Sequence, residues 1–322
     1  MEEPVNLQDV IGDKELSVQL FTFGHKYAII LKRKKRREEM LEITEHTLIE
    51  SIKLLPFLFI TYLIMEYIEH KTSKNAKETI KKSGKLGPVI GSLLGIFPQC
   101  GFSVSATNLY AGRVITLGTL IAVYLSTSDE MLPIFISEAV PLITILKILG
   151  IKLLIGIIAG FTIDFVLRFK NMDKQEEKIV DLCEKEHCHC EHGIIKSALV
   201  HTLHIFIFII IITLIVNVAI YFIGEETIAG FLQYNPILGP VIAGLIGLIP
   251  NCAASVILTQ LYLENMITVA TMISGLLVGA GVGLAVLFKA NKGIKENLKI
   301  VGILYLIGVV SGVILQIMGI TF

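Results

Sequence analysis

One 25-residue stretch occurs twice in this chain, and that repeat limits the possible folds more than any other feature. Residues 86–110 read LGPVIGSLLGIFPQCGFSVSATNLY and residues 238–262 read LGPVIAGLIGLIPNCAASVILTQLY, an ungapped offset of 152 with 14 identities. Pro88 pairs with Pro240, Gly95 with Gly247, Pro98 with Pro250, Cys100 with Cys252 and Tyr110 with Tyr262. Each half of the chain thus holds one apolar segment interrupted by a proline, a side-chain amide and a cysteine.

The surroundings of the repeat are apolar as well. Hydrophobic residues make up 53% of the chain, mean hydropathy is +0.73, and several apolar runs reach the roughly 20 residues that cross a bilayer. The composition is that of an all-α polytopic membrane protein whose first partner is lipid. Net charge is zero, so global electrostatics point to no nucleic acid, and no stoichiometry is implied. Five cysteines, two of them inside apolar segments, do not make a disulfide framework. They read as thiols for packing or for coordination.

In chain order, residues 1–39 form an extension that ends in a basic run, Lys32 to Arg37. A basic run before a span normally marks the cytoplasmic side, which here conflicts with every later loop. Translation starting at Met40 removes the conflict; a cytoplasmic tail is the alternative. Residues 40–167 then form a first membrane repeat, 168–196 a loop, and 197–322 a second repeat. Spans are expected over residues 47–68, 114–136, 139–166, 197–223, 266–288 and 298–320.

Equivalent loops in the two halves carry opposite charge. Residues 70–85 hold six lysines against Glu78, whereas the corresponding loop holds Glu225 and Glu226. The acidic stretch 126–138 corresponds to one ending in Lys289, Lys292 and Lys295. Under the positive-inside rule the halves cross in opposite directions, as in the inverted-topology repeats of secondary transporters. The pattern holds only if residues 86–110 dip in and return. Residues 86–97 make roughly 18 Å of helix, about half of a hydrocarbon core. The expected fold therefore has two inverted repeats, each with three spans and one re-entrant helical hairpin, about ten helical pieces in all.

The hairpin tips, Pro98–Gln99–Cys100 and Pro250–Asn251–Cys252, would place irregular backbone at membrane depth, where only burial in protein or a wet cavity tolerates it. Cysteine is a soft ligand for thiophilic metals and metalloids, while Gln99, Asn251, Ser103 and Ser255 are hard oxygen donors. These eight residues are the expected substrate site, with ordinary packing as the alternative. Asp129 and Glu130 have no acidic counterpart in the second half and read either as a solvated helix end or as carboxylates for a cation or for proton coupling. His46 and His201 each begin a His-Thr-Leu triplet early in their half, consistent with an interfacial or proton-linked role. In the central loop, Cys183, His187, Cys188, His189, Cys190 and His192 form a dense set of soft-metal donors.

The segments LLPFLFITYLIMEYIEH (54–70), PQCGFSVSATNLYAGRVITLGTLIAVYLSTSDEMLPI (98–134) and LIPNCAASVILTQLY (248–262) resemble the ten-transmembrane heavy-metal exporter family. Its members are variously labelled arsenic efflux proteins or manganese transporters. The resemblance covers residues 40–322; the family pattern lacks the first 39. It implies efflux of a toxic metal or metalloid across a bacterial-type cytoplasmic membrane.

Two functions of different class follow. One is a secondary-type exporter with no tightly bound cofactor, in which Cys100 and Cys252 meet near the midplane. The other is an intramembrane thiol-dependent enzyme. The chain has no HExxH, GxSxG or nucleotide-binding loop, which disfavours both the enzyme and an ATP-driven pump. Within the exporter reading, the thiols favour arsenite; Asp129, Glu130, Gln99 and Asn251 favour manganese.

Overall fold

The computed structural model describes residues 86–128, 130–169, 194–223 and 238–320, and most of 38–64. The chain divides into two units, Met1–Leu48 and Ile49–Phe322. In the first, the described residues are helical, and Thr44 and Thr47 return their hydroxyls to the carbonyls of Leu41 and Ile43.

The described residues are helical with no strand. Six helices are long and apolar enough to cross a membrane, which makes this a multi-pass membrane protein. A first span, α1, is counted over Ile43–Ile64. It is followed by α2 (Gly87–Gly95), α3 (Cys100–Ala111), α4 (Leu117–Ser126), α5 (Met131–Ser137) and α6 (Leu142–Phe169). The second half has α7 (Ile194–Ile223), α8 (Gly239–Gly247), α9 (Ala253–Leu263), α10 (Val269–Val278), α11 (Val282–Ala290) and α12 (Ile294–Ile317).

Local structure recurs with the sequence offset. Pro88 and Pro240 occupy the first turns of α2 and α8, where a missing N–H costs nothing. Thr116 caps α4 by accepting from the Thr119 amide, and Thr268 caps α10 by accepting from Thr271. Arg113 and Asn265 sit at equivalent turns with the same positive φ of 59°. Glycines let the helices approach closely, as is usual between membrane helices. Gly156 faces the Ala122 carbonyl and Gly308 the Ser274 carbonyl, while Gly118 and Gly160 lie backbone to backbone.

Two expected spans require correction. The runs read as continuous over 114–136 and 266–288 are each broken near the middle. The first stops at Ser126 and restarts at Met131; the second stops at Val278 and restarts at Val282. Glu130 accordingly lies at the start of α5, inside the span Leu117–Ser137, and not at a span's end. At the first break, the Ser126 hydroxyl donates to the Ala122 and Val123 carbonyls, Thr127 to Val123 and Ser128 to Ser126. At the second, Gly281 has φ 54°, a conformation open to glycine.

Burial explains why such breaks survive. The two broken spans are 71% and 83% buried, against 17% to 38% for the four others. Interrupted backbone sits where protein surrounds it, and the unbroken helices turn apolar side chains such as Ile158, Phe165, Ile211 and Leu306 outward. In the first half, α4 packs between α2 and α6; in the second, α10 packs between α8 and α12. The halves also exchange contacts, because α3 lies on α11 and α9 lies on α5.

Candidate functional site

The exchange brings the two repeated cysteines together. Cys100, at the start of α3, and Cys252, the residue capping α9, are buried with their Sγ atoms 2.9 Å apart. The two are not joined in a disulfide. Apolar side chains from both halves surround them, among them Leu54 and Leu58 of α1, Val104 of α3, Ile205 of α7, and Val282 and Val286 of α11.

The backbone before each cysteine is built alike. Gln99 is extended, and its amide bonds the Phe97 carbonyl two residues back, as Asn251 does with Ile249. The Ser103 hydroxyl donates to the Cys100 carbonyl and Ser255 to the Cys252 carbonyl. The hydroxyl protons are thereby spent on their own turns. Gln99 donates its side-chain amide to the Lys53 carbonyl of α1, and Asn251 donates to Asn217 of α7. Pro98 is exposed and Pro250 half-buried. A recess lined by Gly247, Asn251, Ser255, Gly275, Gly279 and Gly281 has room for about one water beside the second tip.

Other candidates fall in different places. His201 is fully buried on α7, stacked on Tyr62 with ring centroids 5.6 Å apart, and the Tyr62 hydroxyl donates to Asn108 of α3. Asp129, His46, Cys183, His187, Cys188, His189, Cys190 and His192 lie outside the described residues. Among the described residues, no group of three or more His, Cys, Asp or Glu side chains is disposed to hold a metal ion. The two thiols are the soft donors of the described site.

Several residues of consequence were not legible beforehand. Lys152 of α6 is fully buried and donates Nζ to the Thr127 carbonyl at the break after α4. A lysine amid a long apolar run was the available signal. Thr107, Tyr124 and the Gly283 carbonyl form a buried knot between halves, with Thr107 and Tyr124 hydroxyls 2.6 Å apart. Arg113 forms a two-armed ion pair with Glu296, at 2.9 and 3.2 Å. Neither has a signal in local sequence.

Chemically, two adjacent thiols among apolar side chains suit a large polarisable ion with few ligands. A family model described as "Putative, 10TM heavy-metal exporter" matches residues 51–224, more than half of the chain. No curated protein and no solved structure matches. By that match, with described residues that are all helical and include six apolar spans and a buried thiol pair, the chain belongs to the 10TM heavy-metal exporter family.

Proposed function

We propose that the protein exports a thiophilic metal or metalloid, with Cys100 and Cys252 as paired ligands at the tips of two re-entrant hairpins. The observation that carries this reading is the 2.9 Å approach of two thiols 152 residues apart, one from each copy of the repeat. Thiolates favour soft ions such as arsenite-type species. Manganese prefers oxygen donors, whereas the side chains that meet from the two copies of the repeat are thiols, which supports the soft cargo.

Packing supports the hairpins. Gly87 lies against Thr119 and Gly95 against Ser126, so α2 runs alongside α4 in the same direction. Because α3 leads straight into the turn that opens α4, both ends of the α2–α3 pair belong at one level. Gly239 against Thr271 and Gly247 against Gly275 repeat the relation in the second half. Contacts between the halves support opposite orientation: Arg113 meets Glu296, near the basic Lys289, Lys292 and Lys295, while Phe135 meets Tyr262 at the other end. The first hairpin then enters from the cytoplasm and the second from outside.

The transport cycle in this reading is of the secondary type. The two halves rock about the thiols, with Glu130, its neighbour Asp129 and His201 available for proton coupling. The loop over 168–196 collects metal on the cytoplasmic side through its cysteines and histidines, and the membrane is a bacterial-type cytoplasmic membrane. A sensitivity panel tests this in cells expressing wild type, Cys100→Ser or Cys252→Ser, challenged with arsenite, phenylarsine oxide and manganese. Each serine variant, expressed normally, is expected to lose protection against the arsenicals by about tenfold, as one thiol replaces a two-thiol chelate. Undiminished protection in both variants refutes the soft-ligand site.

A further inference from the structure

The seam between α3 and α11 runs from the thiols toward one face of the molecule, and something holds its far end shut. Cys100 starts α3; just beyond the helix, Arg113 reaches across to Glu296 in the first turn of α12. The ion pair is two-armed, with Nη1 to Oε1 at 2.9 Å and Nη2 to Oε2 at 3.2 Å. Tyr110 donates its hydroxyl to the same carboxylate, and the Arg113 guanidinium lies over the Tyr110 ring at 5.3 Å. Two residues of the first half thus converge on one carboxylate of the second.

The internal repeat provides the comparison. Tyr262 stands where Tyr110 does, Asn265 stands for Arg113 and Thr144 for Glu296, so the second copy of this turn cannot make the ion pair. Its tyrosine contacts Phe135 instead, an apolar closure. Both turns hold a positive φ of 59°. Asparagine tolerates that conformation well, while arginine is not among the residues that favour it. The first half keeps arginine there against the backbone preference, and the side chain is committed to Glu296. Glu296 itself sits at a helix N-terminus, which favours its carboxylate.

We propose that Arg113, Tyr110 and Glu296 form a latch closing the cytoplasmic end of the path to Cys100 and Cys252, a device the equivalent turn at Asn265 does not form. The assignment of side rests on the topology proposed above. With side chains 27% and 35% exposed, the pair is wet enough to hold only loosely. A latch that must open in each cycle requires that.

Thiol access tests the latch without measuring efflux, so a wrong assignment of cargo does not affect the result. Full-length protein, pre-treated with reductant in inside-out and right-side-out vesicles, is exposed to a membrane-impermeant maleimide. Labelling of Cys100 and Cys252 is then read by mass spectrometry of their peptides. Glu296→Gln and Arg113→Asn are each expected to raise labelling about threefold or more, in inside-out vesicles alone. Arg113→Asn installs the residue that the equivalent turn already uses, so it preserves the backbone if Glu296→Gln does not fold. Asn265→Ala, on the other face, is expected to label as wild type. Wild-type labelling in both latch variants overturns the proposal. So does a rise that is equal in the two vesicle orientations, which reports unfolding, or one confined to right-side-out vesicles, which places the contact on the other face.

Discussion

Lys152 has no exposed surface in the middle of a 28-residue apolar helix, yet it is well placed. Its Nζ meets the carbonyl of Thr127, where α4 ends, and a cation is favoured at a helix C-terminus. Leu304 holds the equivalent position in the second half and is equally buried, so this device belongs to one half alone. Lys152→Met keeps the volume and removes the donor, leaving a carbonyl in a dry environment at about 1–3 kcal/mol. Thermal unfolding in detergent is expected to show a correspondingly lower midpoint than wild type. An unchanged midpoint would mean that the carbonyl finds another partner and that the lysine is not what holds the break. The cysteines are the opposite case at this scale: their repetition in sequence singled them out, and their neighbours did not.

At the scale of elements, glycine contacts decide which helices can touch. A Cβ on Gly247 would collide with the Gly275 carbonyl of α10, and one on Gly118 with the Gly160 carbonyl of α6. Backbone carbonyls cannot rotate away as a flexible side chain does. Gly247→Val is therefore expected to lose about 1–3 kcal/mol or more of stability through overpacking, seen as reduced monodisperse yield in detergent chromatography. Gly150→Ala is its control. No atom lies within 4 Å of a Cβ there, so alanine's better helix propensity should leave stability equal or up to ~1 kcal/mol higher. Equal behaviour of the two variants would dismiss close packing as the reason for Gly247. The broken spans also belong to this scale. Hydropathy averaged over some 20 residues reads 117–137 and 269–290 as single spans, because three or four polar or glycine residues barely move the mean. The clusters Ser126-Thr127-Ser128 and Gly279-Ala280-Gly281 marked the breaks, but only burial makes such interruptions tolerable.

For the whole molecule, the thiol pair joins two halves that the chain itself connects through the segment between α6 and α7. Cutting that segment at an inserted protease site should release two fragments on denaturing gels. After treatment with copper phenanthroline, which takes two electrons from the two thiols as they join and lose their protons, the fragments are expected to migrate together until reductant is added. Cys100→Ser should abolish the link. Separate fragments in the oxidised wild type would show that the two cysteines do not meet in the membrane. The proposed topology makes its own demand at this scale: a cysteine placed in 70–85 should label from the cytoplasmic side, and one in 224–236 from outside. Labelling of both from one side would end the inverted-repeat reading.

Much of the architecture was legible without coordinates, for reasons that are local. Apolar run length sets the spans, Gly-Pro pairs open α2 and α8, and the repeat at an offset of 152 singles out the stretches around Cys100 and Cys252. Each of these depends on residues within a turn or two of one another, or on a pattern that recurs along the chain. The proximity of the two thiols, the burial of His201 against Tyr62 and the pairing of Arg113 with Glu296 depend on packing between helices far apart in sequence, up to 186 residues for Tyr110 and Glu296. No local propensity encodes such meetings. They were decided when α3 settled on α11 and α9 on α5, because burying the interrupted backbone of each half required the other half to cover it.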